Sequence, residues 1–360
     1  MEAFEKKEYD VALMVFTIPA EDGDVQAQYY LGLCYLRAMI SHDEAKAVKW
    51  FLKAAEQGHA EAQFRLGICY SNGDGVKQDK SEAVKWIRKA AEQGFAEAQC
   101  YLGLCYGLAD GVKQDYAEAA KWYRKAAEQG HVEAQYLLGR YYNGGKGVKQ
   151  DYTEAAKWIR KAAEQGHAEA QYHLGSYYDG GKGVKQDYAE AAKWYRKAAE
   201  QGHAKGQNEL GLRFYQGKGV KQDKSEAVKW FLKAAEQGNV TAQNSLGDCY
   251  TLGEGVKQDF AEAVKWIRKA AEQEFPVAQF NLGICYDNGD GVKQDYAEAA
   301  KWYRKAAEQG HAGAQLNLGI CYLKGDGVKQ DPVEGEKWLR KAAEAGNTKA
   351  KKVLEDLIQH

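Results

Sequence analysis

Residues His59 to Gly94 read HAEAQFRLGICYSNGDGVKQDKSEAVKWIRKAAEQG, and this stretch decides the fold. Its second half is a helix, B. Asp79 suits an N-cap, and Glu82 stands three residues later, as in a capping box. At 100° per residue Ala83, Val84, Trp86, Ile87, Ala90 and Ala91 share one arc, while Lys85, Arg88, Lys89 and Glu92 fill the other side. Gly94 follows where a left-handed residue closes a helix. The first half is a second helix, A, over 60–72, with Ala62, Gln63, Leu66, Gly67 and Tyr70 on one face. Gly67 marks a close approach by another helix, since glycine is otherwise unfavourable there by about 1 kcal/mol. The connector, Asn72 to Lys77, is too short for other structure, so the two helices are antiparallel neighbours.

The same unit recurs outward in both directions. All nine tryptophans, from Trp50 to Trp338, stand 36 residues apart, and Gly-Val-Lys-Gln-Asp appears eight times. The first copy departs: Leu31-Gly32 stands one residue closer to Trp50, and the loop string is missing. The ends fall in mid-copy, which is expected where an outer face has no neighbour. The organisation expected is a capping helix over 1–23, nine helix pairs over 24–346 and a capping helix over 347–360. One pair cannot bury its apolar faces alone, so the copies must stack with the tryptophans as core. The fold class is all-α: a solenoid of about nine α/α pairs.

Fifty Lys plus Arg balance 51 Asp plus Glu, which gives no electrostatic reason to expect nucleic acid. No apolar run approaches the ~18–20 residues that span a bilayer, so no membrane insertion is expected. Met1 to Asp10 lacks the apolar stretch of a secretory signal, so the chain as it stands reads as cytoplasmic. A signal removed upstream would instead make it periplasmic or secreted.

Ala-Glu-Ala-Gln-x-x-Leu-Gly-x-x-Tyr, Gly-x-Gly-Val-x-x-Asp and Glu-Ala-x-Lys-Trp-x-x-Lys-Ala-Ala-Glu-Gln-Gly together resemble the Sel-one-like repeat (SLR) family, a branch of the tetratricopeptide-like superfamily. The resemblance runs from Val25 to Gly346, and copies this alike point to a bacterial source. It implies a right-handed α/α superhelix that acts as an adaptor or scaffold, a monomer without cofactors that holds a protein or peptide in its concave groove. The alternative it implies is a secreted or periplasmic factor that binds a host protein or cell-wall component.

Comparing copies shows where a partner would bind. Helix B and the connector hardly change, and even Lys77-Gln78, expected to be solvated, is constant. One stripe of helix A changes freely: Arg65, Ile68 and Asn72; Tyr101, Leu104 and Leu108; Leu137 and Arg140; His173 and Ser176. It continues through Glu209, Leu212 and Gln216; Ser245, Asp248 and Leu252; Asn281, Ile284 and Asn288; and Asn317, Ile320 and Lys324. This stripe is expected to line the groove. The alternative is that it tunes packing between successive A helices.

Catalytic chemistry is not expected. The Ser-x-x-Lys needed for the β-lactam binding of some SLR relatives is missing, as are Gly-x-Ser-x-Gly, His-Glu-x-x-His and P-loop strings. Six of seven cysteines share one helix-A column, where neighbours ~8–10 Å apart cannot bridge, and they read as small buried hydrophobes. The disulfide that staples the two helices in some relatives does not carry over, because helix B has no cysteine. His59, His131, His167, His203 and His311 share the turn before helix A, a position held elsewhere by Asn239 and Asp24, so a local turn role is expected rather than metal binding.

Overall fold

The computed structural model describes residues 2–38 and 42–359, so Met1, His360 and part of the first copy's loop lie outside it. The described residues form helices and connectors, without a strand. None of these helices is long and apolar enough to cross a membrane. The chain divides into two compact units, Met1–Gln186 and Asp187–His360.

In the first unit the A helices Val25–Arg37, Ala60–Asn72, Ala96–Leu108, Val132–Gly144 and Ala168–Gly180 alternate with the B helices Glu44–Glu56, Lys80–Glu92, Tyr116–Glu128 and Tyr152–Glu164. The second unit alternates Tyr188–Glu200, Lys224–Glu236, Phe260–Glu272, Tyr296–Glu308 and Pro332–Glu344 with Ala204–Gln216, Val240–Leu252, Pro276–Asn288 and Ala312–Lys324. Within each unit a helix packs on the ones before and after it in sequence, so each copy shields its neighbours. Thr348–Gln359 closes the second unit, with Ala350, Val353 and Leu354 against Leu316 and Leu339. A short helix, Glu2–Glu5, and then Tyr9–Glu21 open the first; in the latter Leu13 and Phe16 are buried, whereas Val11, Met14, Val15 and Ile18 are exposed.

All nine tryptophans are core, 5–9 % exposed. Trp86 meets Leu33 and Phe51 of the preceding copy together with Leu66 of its own helix A. The lysine one turn on covers the remaining edge, with Lys89 Nζ 3.8 Å from the Trp86 ring centre. Gly67 approaches helix B as expected; a Cβ there would lie 2.5 Å from Ile87 Cγ1. Gly94 takes φ +93°, and Pro276 and Pro332 each open a helix.

The capping box is only half formed. Asp79 accepts from the Glu82 N–H, but its own N–H goes to the Tyr70 carbonyl. That leaves Glu82 to pair with Lys85 at 2.7 Å. The constant Gln78 is more than a solvated residue: its Nε2 donates to the Ser71 carbonyl at 2.8 Å, satisfying the end of helix A. Its constancy therefore has a structural cause, while Lys77 is exposed.

Gln63 joins three helices. Its Nε2 donates to the Ala55 carbonyl at 3.0 Å, and its Oε1 accepts from Gln93 Nε2 at 2.7 Å. The same relay links Gln129, Gln99 and Ala91, and again Gln273, Gln243 and Ala235. It fails once. Gln315 Nε2 reaches the Ala307 carbonyl at 3.1 Å, but the last donor position holds Ala345, and Gln315 Oε1 is buried without a partner. Ala345→Gln is expected to stabilise the chain by about 1 kcal/mol in a urea titration, because it completes a buried bond. An unchanged midpoint would show that the orphan carbonyl oxygen carries no penalty.

Candidate functional site

The variable stripe lies along the A helices of each unit. Asn72, Leu108, Arg140, Ser176, Gln216, Leu252, Asn288 and Lys324 are exposed. Arg65, Ile68, Tyr101, Leu104, Leu137, His173, Glu209, Leu212, Ser245, Asp248, Asn281, Ile284, Asn317 and Ile320 are half-buried. Two leucines stand out for exposure, Leu108 at 73 % and Leu252 at 62 %. Isolated exposed leucines are ordinary, but these two hold the same position in their copies, beside other stripe members.

Part of the stripe also packs one A helix on the next. The Tyr101 ring meets Phe64 edge-on at 6.0 Å, and its hydroxyl lies 3.3 Å from Ser71 Oγ. His173 stacks on Tyr136 at 5.8 Å, and Arg140 donates to the Tyr136 hydroxyl at 3.4 Å. The columns of Phe64 and Ser71 thus belong to the surface, although the stripe expected from sequence does not include them. The signal is present in the sequence: Phe64 aligns with Tyr136, Asn208 and Phe280, and Ser71 with Tyr215 and Asp287, so both columns change from copy to copy.

The second unit contains a polar seam. Between Ala204–Gln216 and Val240–Leu252 a cavity of about 110 Å³ is lined by Leu212, Tyr215, Phe231, Ser245, Asp248 and Cys249. Asp248 Oδ2 accepts from Asn244 Nδ2 at 2.9 Å, and Oδ1 from Asn281 Nδ2 at 3.3 Å. These are neutral donors, and among the described residues no cationic side chain pairs with the carboxylate. Burial raises the Asp248 carboxyl from 3.8 to about 6 against the opposing pull of the Asn244 amide. The Tyr215 hydroxyl is pushed up to about 12 by its bond to Glu254 and by burial, and the Cys249 thiol to about 12 by burial, so neither changes charge near pH 6.

The sign of the linkage follows. A carboxyl that holds its proton more tightly when folded makes the folded state the better proton binder between pH 3.8 and about 6. Stability contributed by this site falls as pH rises through that window, and the full cost is present above it. Asp248→Asn is therefore expected to raise stability at neutral pH by on the order of 1–3 kcal/mol, with the gain vanishing below about pH 4. Denaturant titrations of both proteins across pH 3 to 8 check this; a constant difference would refute it.

The other titratable columns have structural duties. His59 Nδ1 accepts from the Ala62 N–H at 3.3 Å, and His131, His167, His203 and His311 repeat the bond. Asp24 and Asn239 do the same, whereas Phe95 and Phe275 make no such bond. An accepting Nδ1 requires a neutral ring, and burial accordingly lowers the His59 and His311 values. All seven cysteines are free thiols in the core, and burial pushes Cys69 up to about 11 and Cys100 to about 12. Such thiols are poor nucleophiles. No group of three His, Cys, Asp or Glu side chains among the described residues could hold a metal.

The Sel1 repeat family model matches nine times in succession, over 25–59, 60–95, 96–131, 132–167, 168–203, 204–239, 240–275, 276–311 and 312–347. No curated protein matches the chain. Among solved structures, a Sel1 repeat protein from Oxalobacter formigenes is 38 % identical with TM-score 0.68, over 86 % of this chain and 89 % of that one. A protective antigen present in uropathogenic Escherichia coli strains, displaying an SLR fold, is 35 % identical with TM-score 0.60, over 96 % of this chain and 90 % of that one. With nine successive matches over 25–347, the chain belongs to the Sel1 repeat family.

Proposed function

We propose that this chain is a non-enzymatic scaffold that holds a partner protein or peptide on the variable stripe of its A helices. The reading rests on one observation: the copies differ along a stripe of helix A that is half-buried to exposed, while the connector stays constant. A surface whose repeats have diverged there suits an extended partner that is read differently by each copy, with a few aromatic, arginine or apolar anchors supplying most of the energy. Tyr101, Leu104, Leu108 and Arg140 form the richest such cluster in the first unit.

Tyr101 also holds two helices together, so the informative variant spares it. Leu108 and Arg140 are exposed, and replacing both by alanine removes from the fold only the Arg140 contact with the Tyr136 ring and hydroxyl. Affinity purification with mass spectrometry, wild type against Leu108→Ala/Arg140→Ala, is expected to identify a partner whose affinity drops about tenfold or more in the variant, with circular dichroism unchanged. Equal recovery and equal affinity for every captured protein would refute the reading. A second reading, a factor directed at a host protein or cell-wall component, draws support from the likeness to the uropathogenic antigen. Cell fractionation separates the two: recovery outside the cytoplasm favours the second.

A further inference from the structure

Asp248 is the sole acidic residue in its column, where the other copies carry Ile68, Leu104, Arg140, Ser176, Leu212, Ile284 and Ile320. It borders a cavity whose other walls are largely apolar: Leu212, the Tyr215 ring and Phe231. Buried carboxylates are normally paired with a cation, because leaving water costs an unpaired ion several kcal/mol. Here the protein supplies only two side-chain amides.

The earlier copies show how such a seam can be closed from within. Tyr101, aligned with Ser245, crosses from Ala96–Leu108 to reach Ser71, aligned with Tyr215. In the second unit the sizes are exchanged. Ser245 is too short to cross, and the Tyr215 hydroxyl is turned away to Glu254, whose other oxygen holds Lys224 Nζ at 2.7 Å. The Tyr215 ring is thereby fixed as a wall, and Asp248 stays in the lining of the cavity.

We infer that this cavity receives a lysine side chain of the bound partner, its alkyl stem against Leu212, Tyr215 and Phe231 and its ammonium on the Asp248 carboxylate. The inference rests on the scaffold reading and gives it one anchor chemistry. A lysine fits because its apolar stem and terminal charge match the apolar walls and the single carboxylate. The Tyr215 ring already carries Lys224 Nζ 5.2 Å from its centre, so what it offers the partner is an apolar wall. The cavity is smaller than the ~150 Å³ that takes one benzene, so it suits a side-chain end and not a folded ligand.

The test uses the full chain with 13C-labelled leucine methyl groups and n-butylammonium as the probe. The Leu212 methyl signals are expected to shift and saturate. The neutral n-pentanol should bind about tenfold or more weakly, and Asp248→Asn should lose about tenfold of n-butylammonium affinity. Ser245→Tyr, which copies the closed seam at Tyr101, should exclude both probes while circular dichroism stays unchanged. A silent Leu212, equal binding of n-pentanol, or unchanged binding by Asp248→Asn would each overturn the inference. The probe reports on the second unit alone, whereas the Leu108/Arg140 variant reports partner binding through the first. Loss of either result leaves the other standing.

Discussion

Trp158→Ala is expected to remove about 3–5 kcal/mol of stability, the loss usual for a buried aromatic cut to alanine. Trp158 is 6 % exposed and packs with Tyr123, Ala126, Ala127 and Leu138, residues from the preceding B helix and its own A helix. Truncation would open a void at the junction of three helices, and their alanines are too small to close it. The same indole offers a sharper test. Its Nε1 is buried with no hydrogen-bond partner, so Trp158→Phe keeps most of the apolar contact and removes an unsatisfied donor. The phenylalanine variant should cost less than half as much as the alanine one. Lys161, which lies 4.2 Å over the ring, should retain part of its cation–π contact. In a linear array the damage is local, so hydrogen exchange should accelerate first in Tyr116–Glu128 and Val132–Gly144. A loss below about 1 kcal/mol for Trp158→Ala would contradict its place in the core.

What was legible in the sequence is what repeats within one copy. Trp50 to Trp338, Leu66-Gly67 and Asp79 each announce a helix face, a close approach or a cap, and each is where its spacing puts it. Contacts between helices were less legible, because a periodic pattern does not say which atoms meet. Gln63 is visible as a constant polar residue on a buried face, but its bond to the Ala55 carbonyl depends on the offset between two helices. Glu82 has the spacing for half of a capping box, yet the chain's return from Tyr70 takes the Asp79 N–H first. The stripe follows columns that vary, yet Tyr101 varies partly because it fills a seam that Ser245 leaves open. Variation alone cannot separate a surface residue from one that compensates its neighbour. In the sequence Asp248 is the one acidic residue of a variable column, but only the structure places it beside a largely apolar cavity.

Gly147→Ala should be nearly as damaging as the tryptophan change, for a reason that lies in the backbone. Gly147 has φ +64°, and a Cβ there would sit 2.0 Å from the Tyr116 carbonyl oxygen and 2.1 Å from its carbon. The connector of one copy thus rests directly on the first turn of the preceding B helix, against main chain that cannot rotate aside. The left-handed conformation alone costs a side-chain-bearing residue about 1–2 kcal/mol. Forcing the two backbones apart adds about 1–3 kcal/mol. The two contributions can be separated within this molecule. Gly166 takes φ +93° but has nothing within 4 Å of the same position, so Gly166→Ala carries the conformational cost without the contact. In urea titrations Gly147→Ala should exceed Gly166→Ala by the contact cost. That excess measures how tightly successive copies are held together through the Gly-Val-Lys-Gln-Asp connector. Equal losses would mean that the connector yields on substitution, and that the constancy of its glycine reflects backbone conformation alone.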